Sequence, residues 1–450
     1  MFTISESRSN GLVLPVRVPG KRDPQKETLM NRRTLYGALS AGGVVAGICA
    51  FLILWRPAIE PVEDLSTFDS EQVARGAQVA EAGDCAVCHT RPGGKHLAGG
   101  LPLKTPFGTL YTTNITPDME TGIGQWSLEA FERAMRKGIS RDGHFLYPAF
   151  PYLHYSRMSD GDIGDVYAYL MSGPAVHAPA LANDMNFPMS IRPLVAFWNI
   201  LFLHTEPLVP DESKSEKWNR GRYLVDGAGH CAGCHSPLNL IGGQKSGEYL
   251  AGGQVDGWEA PSLLGMADRR NPWTNAQLVA YLRAAVVPEH GTAAGPMRPV
   301  SLSIERLPTS DAESIAEYLL SLKQTRPAPE LNNAHPPVTD VQHSLGESLF
   351  KSSCAGCHGE AAPMRVIDSR PGLVDTSALR SASSRNFLQT VLQGIPAIPG
   401  RPGPAMPPFS ESLDDSQISA LAVFLRSQSK PAQPWTDLRA TIHELRQEAK

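Results

Sequence analysis

The chain has 450 residues, with 41 Lys and Arg against 45 Asp and Glu and a formal net charge of -4. At ~150 residues per domain that length accommodates three domains, and a near-neutral chain without a basic stripe argues against nucleic acid as a partner. The sequence carries no nicotinamide or flavin fingerprint and no nucleophile–base arrangement, so it offers no substrate-oxidising site of its own.

Residues 1–34 hold seven basic side chains (Arg8, Arg17, Lys21, Arg22, Lys26, Arg32 and Arg33) against three acidic ones. Leu35 to Trp55 then runs 21 residues without a charge, about 31 Å as a helix and enough to cross a bilayer. The basic flank keeps residues 1–34 in the cytoplasm and sends everything after Arg56 to the periplasmic side of the inner membrane, as a single pass. A cleaved signal peptide is the alternative, although the apolar run is long for one and no clear small-x-small cleavage site stands before Trp55. Cys49 lies inside this apolar run, where packing accounts for it.

Three pentapeptides follow: Cys85-Ala-Val-Cys88-His89, Cys231-Ala-Gly-Cys234-His235 and Cys354-Ala-Gly-Cys357-His358. Cys-x-x-Cys-His is the attachment pattern of c-type haem. Two thiols one helical turn apart add to the two vinyl groups of one porphyrin, and the adjacent histidine stands under the iron. A single copy would also fit a disulfide, a zinc half-site or a redox dithiol; three copies, each with the trailing histidine, point to three covalently bound haems c. The six motif cysteines plus Cys49 account for all seven in the chain.

Alignment on these motifs exposes an internal repeat. Each copy opens with a helix carrying a glycine (Gly76, Gly221, Gly346) and closes with a helix ending in aromatic-Leu (Tyr169-Leu170, Tyr318-Leu319, Phe424-Leu425). The closing helices start with capping chemistry at Ser159 with Asp162, Ser310 with Glu313, and Asp414 with Gln417. A small residue opposite an aromatic lets two helices cross closely beside a haem edge. This arrangement resembles the class I cytochrome c fold. The expected architecture is therefore all-α, with three such domains in tandem after a transmembrane helix: residues 66–175, 213–325 and 340–430. Between them lie an apolar connector at 176–212 and a Pro-rich linker at 326–339, and an amphipathic tail follows at 431–450. Within the connector, Phe187 to His204 is strongly apolar but too short to span a bilayer. It fits either a helix packed on its own domains or a surface for a partner subunit or the membrane interface. The tail fits either a docking element or a solvent-facing cap.

Each iron needs a sixth ligand if it only carries electrons. Met406, 48 residues after His358 and followed by Pro407, fills that place in the third repeat; Met297, 62 residues after His235, fills it in the second. The first repeat differs, because 61 residues after His89 stands Phe150, which cannot ligate iron. His154 in the same loop is the expected replacement, with Met158 and an open site as alternatives. His96, His144 and His290 have no repeat counterpart and read as surface or propionate-side residues, and His230 reads as exposed.

The runs Arg75-Gly76, Gly99-Gly100, Thr105-Pro106-Phe107-Gly108-Thr109, Asn114-Ile115-Thr116-Pro117-Asp118 and Thr121-Gly122-Ile123-Gly124 resemble the three-haem cytochrome c subunits of bacterial membrane-bound dehydrogenases. That resemblance implies transfer of electrons from a periplasmic alcohol, aldehyde or sugar-acid dehydrogenase to ubiquinone or the terminal oxidase chain. Leu146 to Tyr152 with His154, and Ile191-Arg192-Pro193-Leu194 with Trp198-Asn199, are similar to a narrower group. Its members accompany molybdenum hydroxylases acting on aldehydes or N-heteroaromatics, together with a two-iron two-sulfur subunit. In the alcohol and sugar branch, served by quinoproteins and flavoproteins, a methionine is common where this chain has Phe150. A haem enzyme with an open first site, reducing peroxide or a nitrogen oxide, and a haem subunit of a terminal oxidase are the competing classes.

Overall fold

A glycine helix crosses an aromatic helix three times along this chain. The computed structural model describes residues 54–63, 67–324, 340–363, 371–398, 405–429 and 433–448, together with Leu35, Tyr36, Leu39, Gly43, Gly47 and Phe51. The basic segment 1–34 and the linker 326–339 lie outside the described residues, as does most of Leu35–Trp55, including Cys49. Two units separate at Arg56: Met1–Arg56 and Pro57–Lys450. In the first, the described residues from Leu35 to Leu54 are helical and exposed, and Trp55 stacks on Phe51 at 5.8 Å. No helix among the described residues is long and apolar enough to cross a membrane.

In the second unit, the helix pairs Ser70–Ala82 with Asp160–Met171, Glu216–Tyr223 with Thr309–Ser321, and Asp340–Leu349 with Asp415–Gln428 cross. Their contacts explain the glycines. A Cβ on Gly76 would stand 1.9 Å from the Asp165 carbonyl oxygen, one on Gly221 1.9 Å from that of Ser314, and one on Gly346 2.1 Å from that of Ala420. Tyr169, Tyr318 and Phe424 supply the next atoms at 2.8, 2.9 and 2.7 Å. The helices therefore touch backbone to backbone, and any larger residue would force them apart.

Each crossing closes its own core. The first gathers Phe131, Met135, Tyr155, Met158, Ile163 and Leu170; the second, Leu224, Leu250, Leu278, Leu282, Ile315 and Leu319; the third, Leu388, Val391, Ile418, Leu421 and Leu425. The tail completes the third core: helix Leu438–Glu448 buries Leu438, Ile442 and Leu445 there. Its apolar face is thus covered by its own repeat.

The helix starts follow the predicted capping at two of three places. Asp414 and Gln417 form a complete capping box. Ser159 accepts from the Asp162 amide, while the Asp162 carboxylate turns to the Tyr223 hydroxyl instead. The second closing helix begins at Thr309, directly after Pro308 and with no side-chain cap. Ser310 is already inside it, its carbonyl accepting from the Ser314 hydroxyl. The expectation of an all-α chain also left out small antiparallel sheets. The strands β1 (Pro102–Thr105), β2 (Gly108–Tyr111) and β3 (Asp184–Met185) form one, β4 (Gly253–Val255) and β5 (Trp258–Ala260) a second, and β6 (Val286–Val287) and β7 (Gly291–Thr292) a third. Strands of two to four residues are too short to show alternation in sequence.

The connector does two things at once. Its helix Leu194–Phe202 buries Val195, Ala196 and Asn199, and Asn199 accepts the Tyr152 hydroxyl at 2.6 Å. Trp198 donates to the Ile241 carbonyl of the second repeat, while Leu194, Phe197, Ile200 and Leu201 stay exposed.

Candidate haem attachment sites

Each Cys-x-x-Cys-His run forms a single helical turn at the end of an opening helix. In the first repeat the opening helix stops at Gly83, Asp84 adopts a left-handed conformation (φ 51°), and Cys85–His89 starts a new turn. In the second and third repeats the opening helix widens into a π turn, Leu224–Ala228 and Phe350–Cys354, before Ala232–His235 and Ala355–His358. Both routes put two thiols three residues apart on one turn, the spacing that two vinyl groups need.

All six motif thiols are unpaired and half-buried. Burial pushes Cys85 and Cys231 up to about 12 and Cys88 and Cys234 up to about 11. A working redox dithiol requires the opposite shift, so burial at the first two motifs argues against that alternative.

Two of the three motif histidines, His89 and His235, are backed by peptide carbonyls. His89 Nδ1 lies 2.6 Å from the Thr113 oxygen and His235 Nδ1 lies 2.7 Å from the Pro261 oxygen. A carbonyl can only accept, so Nδ1 carries the proton in both rings and the Nε2 lone pair is left for a metal. Burial lowers both pKa values and keeps the imidazoles neutral. These residues fit a haem c: paired thiols at one edge and a neutral, oriented Nε2.

The Asn114-Ile-Thr-Pro-Asp118 run braces the loop behind His89. Asn114 is 3% exposed; its amide donates to the Val176 carbonyl (2.7 Å), and its oxygen accepts from the Thr116 amide (3.0 Å) and hydroxyl (2.8 Å). Asp118 accepts from the Thr121 amide and hydroxyl, both at 2.7 Å. The loop carrying the Thr113 carbonyl is thereby pinned. Gly99, with φ +71°, packs against the backbone of Thr112 and Thr113. Its amide donates to the His89 carbonyl at 2.7 Å, as the Gly252 amide does to that of His235 at 2.8 Å. Sequence reasoning missed these backing carbonyls, because a peptide oxygen leaves no letter in the sequence.

Of the expected sixth ligands, Met297 opens the helix Met297–Arg306, and the Met406 backbone bonds twice to Ile395, each bond 2.8 Å. Both side chains are half-buried against their repeat's core. Phe150 holds the Met297 position in the first repeat. Leu146 donates to the Gly138 carbonyl as Ala293 donates to that of Ala285, each 2.7 Å, and Phe150 and Met297 each follow four residues later. The Phe150 ring packs 5.6 Å from Tyr155.

Neither replacement lies in the open. Met158 is 1% exposed inside the first core, which Cys85 and Phe150 also join. His154 is 4% exposed and faces the second repeat, with Nε2 3.2 Å from the Gln244 amide nitrogen. Burial, with His230 and Arg157 adding to it, pushes His154 down to about 3, so its ring is neutral. His96 and His144 are on the surface. His230, expected to be exposed, packs 5.6 Å from the Tyr155 ring, and His290, 5% exposed and stacked on Trp273 at 3.7 Å, is not on the surface.

Residues 73–174 and 219–323 match the cytochrome c family, and residues 342–425 match the family described as cytochrome c oxidase, cbb3-type, subunit III. The fructose dehydrogenase cytochrome subunit of Gluconobacter japonicus is 33% identical, over 80% of this chain and 80% of its own. The gluconate 2-dehydrogenase cytochrome c subunit of Pantoea cypripedii is 35% identical, over 79% of this chain and 85% of its own. The chain belongs to the cytochrome c subunits of bacterial dehydrogenases. A nicotinate dehydrogenase subunit of Pseudomonas putida is 46% identical over 95% of this chain, which spans 36% of that protein's length. As a member of this cytochrome family, the chain has an electron-transfer role, and its haem is of the covalently bound c type.

Proposed function

We propose that this cytochrome carries three haems c, through Cys85 and Cys88, Cys231 and Cys234, and Cys354 and Cys357, with His89, His235 and His358 as proximal ligands. Met297 and Met406 are the sixth ligands in the second and third repeats, where a thioether raises the potential relative to a second imidazole. When bound, haem supplies one-electron iron chemistry; the chain sets potential, distance and access. The observation that carries this reading is the pairing of unpaired thiols with a carbonyl-backed histidine at the first two motifs.

Electrons then come from a partner dehydrogenase in the periplasm and leave to ubiquinone or the oxidase chain, with Leu35–Trp55 anchoring the chain in the inner membrane. The partner we favour is a molybdenum hydroxylase with a two-iron two-sulfur subunit, acting on an aldehyde or N-heteroaromatic. Phe150 in place of a methionine supports that choice over a quinoprotein or flavoprotein. So does the likeness to the nicotinate dehydrogenase relative, whose name carries an N-heteroaromatic. The test is a haem count on denatured, acid-acetone-extracted protein, followed by detergent pull-down with metal analysis. Three retained haems per chain and a molybdenum-containing partner are expected. Fewer than three would break the wire, and a partner carrying a quinone cofactor or flavin without molybdenum would overturn the choice of partner.

A further inference from the structure

A part-buried polar contact ties the first repeat to the second haem motif. His154 sits on the short turn Tyr152–Tyr155, and its Nε2 meets Gln244, 90 residues away in the second repeat. The Gln244 amide nitrogen donates to His154 Nε2 (3.2 Å) and to the carbonyl of Ala232 (3.0 Å), inside Cys231-Ala-Gly-Cys234-His235. Nε2 is therefore an acceptor, and its lone pair is committed to that bond.

The surroundings tighten the same junction. Tyr155 donates to the Gly83 carbonyl at 2.7 Å, just before Cys85, and its ring faces His230, just before Cys231. The two turns also approach reciprocally: a Cβ on Gly83 would stand 3.6 Å from the Ala228 oxygen, and one on Gly229 3.7 Å from that of Ala82. Ala228 in turn joins the first core and Ala82 packs against the second.

We propose that His154 is a positioning residue for electron transfer between the first two haems, holding the second haem motif against the first through Gln244 rather than ligating iron. The inference rests on the haem-binding reading above, and the haem count separates the two: a wild-type protein with fewer than three haems fails that reading, not this one alone.

The experiment uses the full-length holoprotein in detergent with His154→Ala, His154→Gln and Gln244→Ala. His154→Ala and Gln244→Ala should keep every haem and leave the low-temperature near-infrared magnetic circular dichroism unchanged. Both should speed amide exchange at Ala232–His235 by about tenfold and slow electron equilibration between the first two haems. His154→Gln, which keeps an acceptor near Nε2 but is a poor haem ligand, should restore both properties. A changed haem ligand signature in His154→Ala would make this residue an axial ligand and overturn the proposal. So would exchange and equilibration within about twofold of wild type in Gln244→Ala, which leaves every candidate ligand in the sequence unchanged.

Discussion

Replacing Gly221 with alanine would drive a methyl group into the backbone of the closing helix. The new Cβ would lie 1.9 Å from the Ser314 oxygen, 2.5 Å from its carbonyl carbon and 2.9 Å from Tyr318 Cβ. The first two atoms are backbone and cannot rotate away, so the helices must separate by ~1 Å or more to relieve the overlap. Tyr318, Leu319, Ile315 and Ala316 are all buried on this closing helix, and spreading the crossing strips contacts from them. The cost should be about 3 kcal/mol, the upper end for overpacking, or roughly a hundredfold in local opening. Amide hydrogen exchange on the intact protein resolves this by repeat, whereas a single melting temperature for a multi-core chain would not. Protection should fall in Glu216–Tyr223 and Thr309–Ser321 and hold in Asp415–Gln428. Gly161→Ala is the control, because its Cβ would meet only Ser159 Oγ at 3.8 Å; it should be neutral or stabilising by about 0.5 kcal/mol. Gly221→Ala within fivefold of wild-type exchange would refute the reasoning from backbone contact.

Four further outcomes follow from other contacts. Asn386 and Glu259 exchange two hydrogen bonds between the third and second repeats, at 2.7 and 2.8 Å; Asn386→Ala should weaken that junction by about 1–3 kcal/mol, seen as faster exchange of the Glu259 amide. Asn114→Ala removes the buried pins of the loop behind His89 and should shift the first haem's potential and spectrum while sparing the other two, as spectroelectrochemistry would show. Asp84 is 8% exposed, and burial pushes its carboxyl up to about 6. The folded state then holds that proton to higher pH than the unfolded chain, so stability is greatest below about pH 4 and falls as pH rises through 6, by up to ~3 kcal/mol. Asp84→Asn should flatten that slope in unfolding measured from pH 4.5 to 7.5, and an unchanged slope would refute it. Met297→Leu and Met406→Leu should each let the reduced protein bind carbon monoxide at one additional haem, counted by titration.

What the sequence revealed and what it hid divide along physical lines. The three crossings were legible, although each joins residues far apart in the chain, because the same glycine and aromatic-Leu marks recur in all three repeats, and Gly76, Gly221 and Gly346 do lie in contact with backbone. Leu438, Ile442 and Leu445 showed an apolar face, but nothing in the sequence says that the third core would cover it. The burial of His290 was hidden, since its stacking on Trp273 is fixed by tertiary packing rather than by spacing. Ser310 misled for a different reason: Pro308 already sets the dihedral at which the helix begins, and no side-chain cap is used there. Gln244 is invisible as a partner for His154 because 90 residues separate them.

The oxygen behind the His89 and His235 rings carries a last implication for chemistry. A peptide carbonyl polarises an N–H without tending to remove the proton, unlike a carboxylate in the same place. Imidazoles held by Thr113 and Pro261 thus retain little imidazolate character. They lend scant electron push to a bound metal, which favours shuttling between two adjacent oxidation levels over cleavage of an oxygen–oxygen bond.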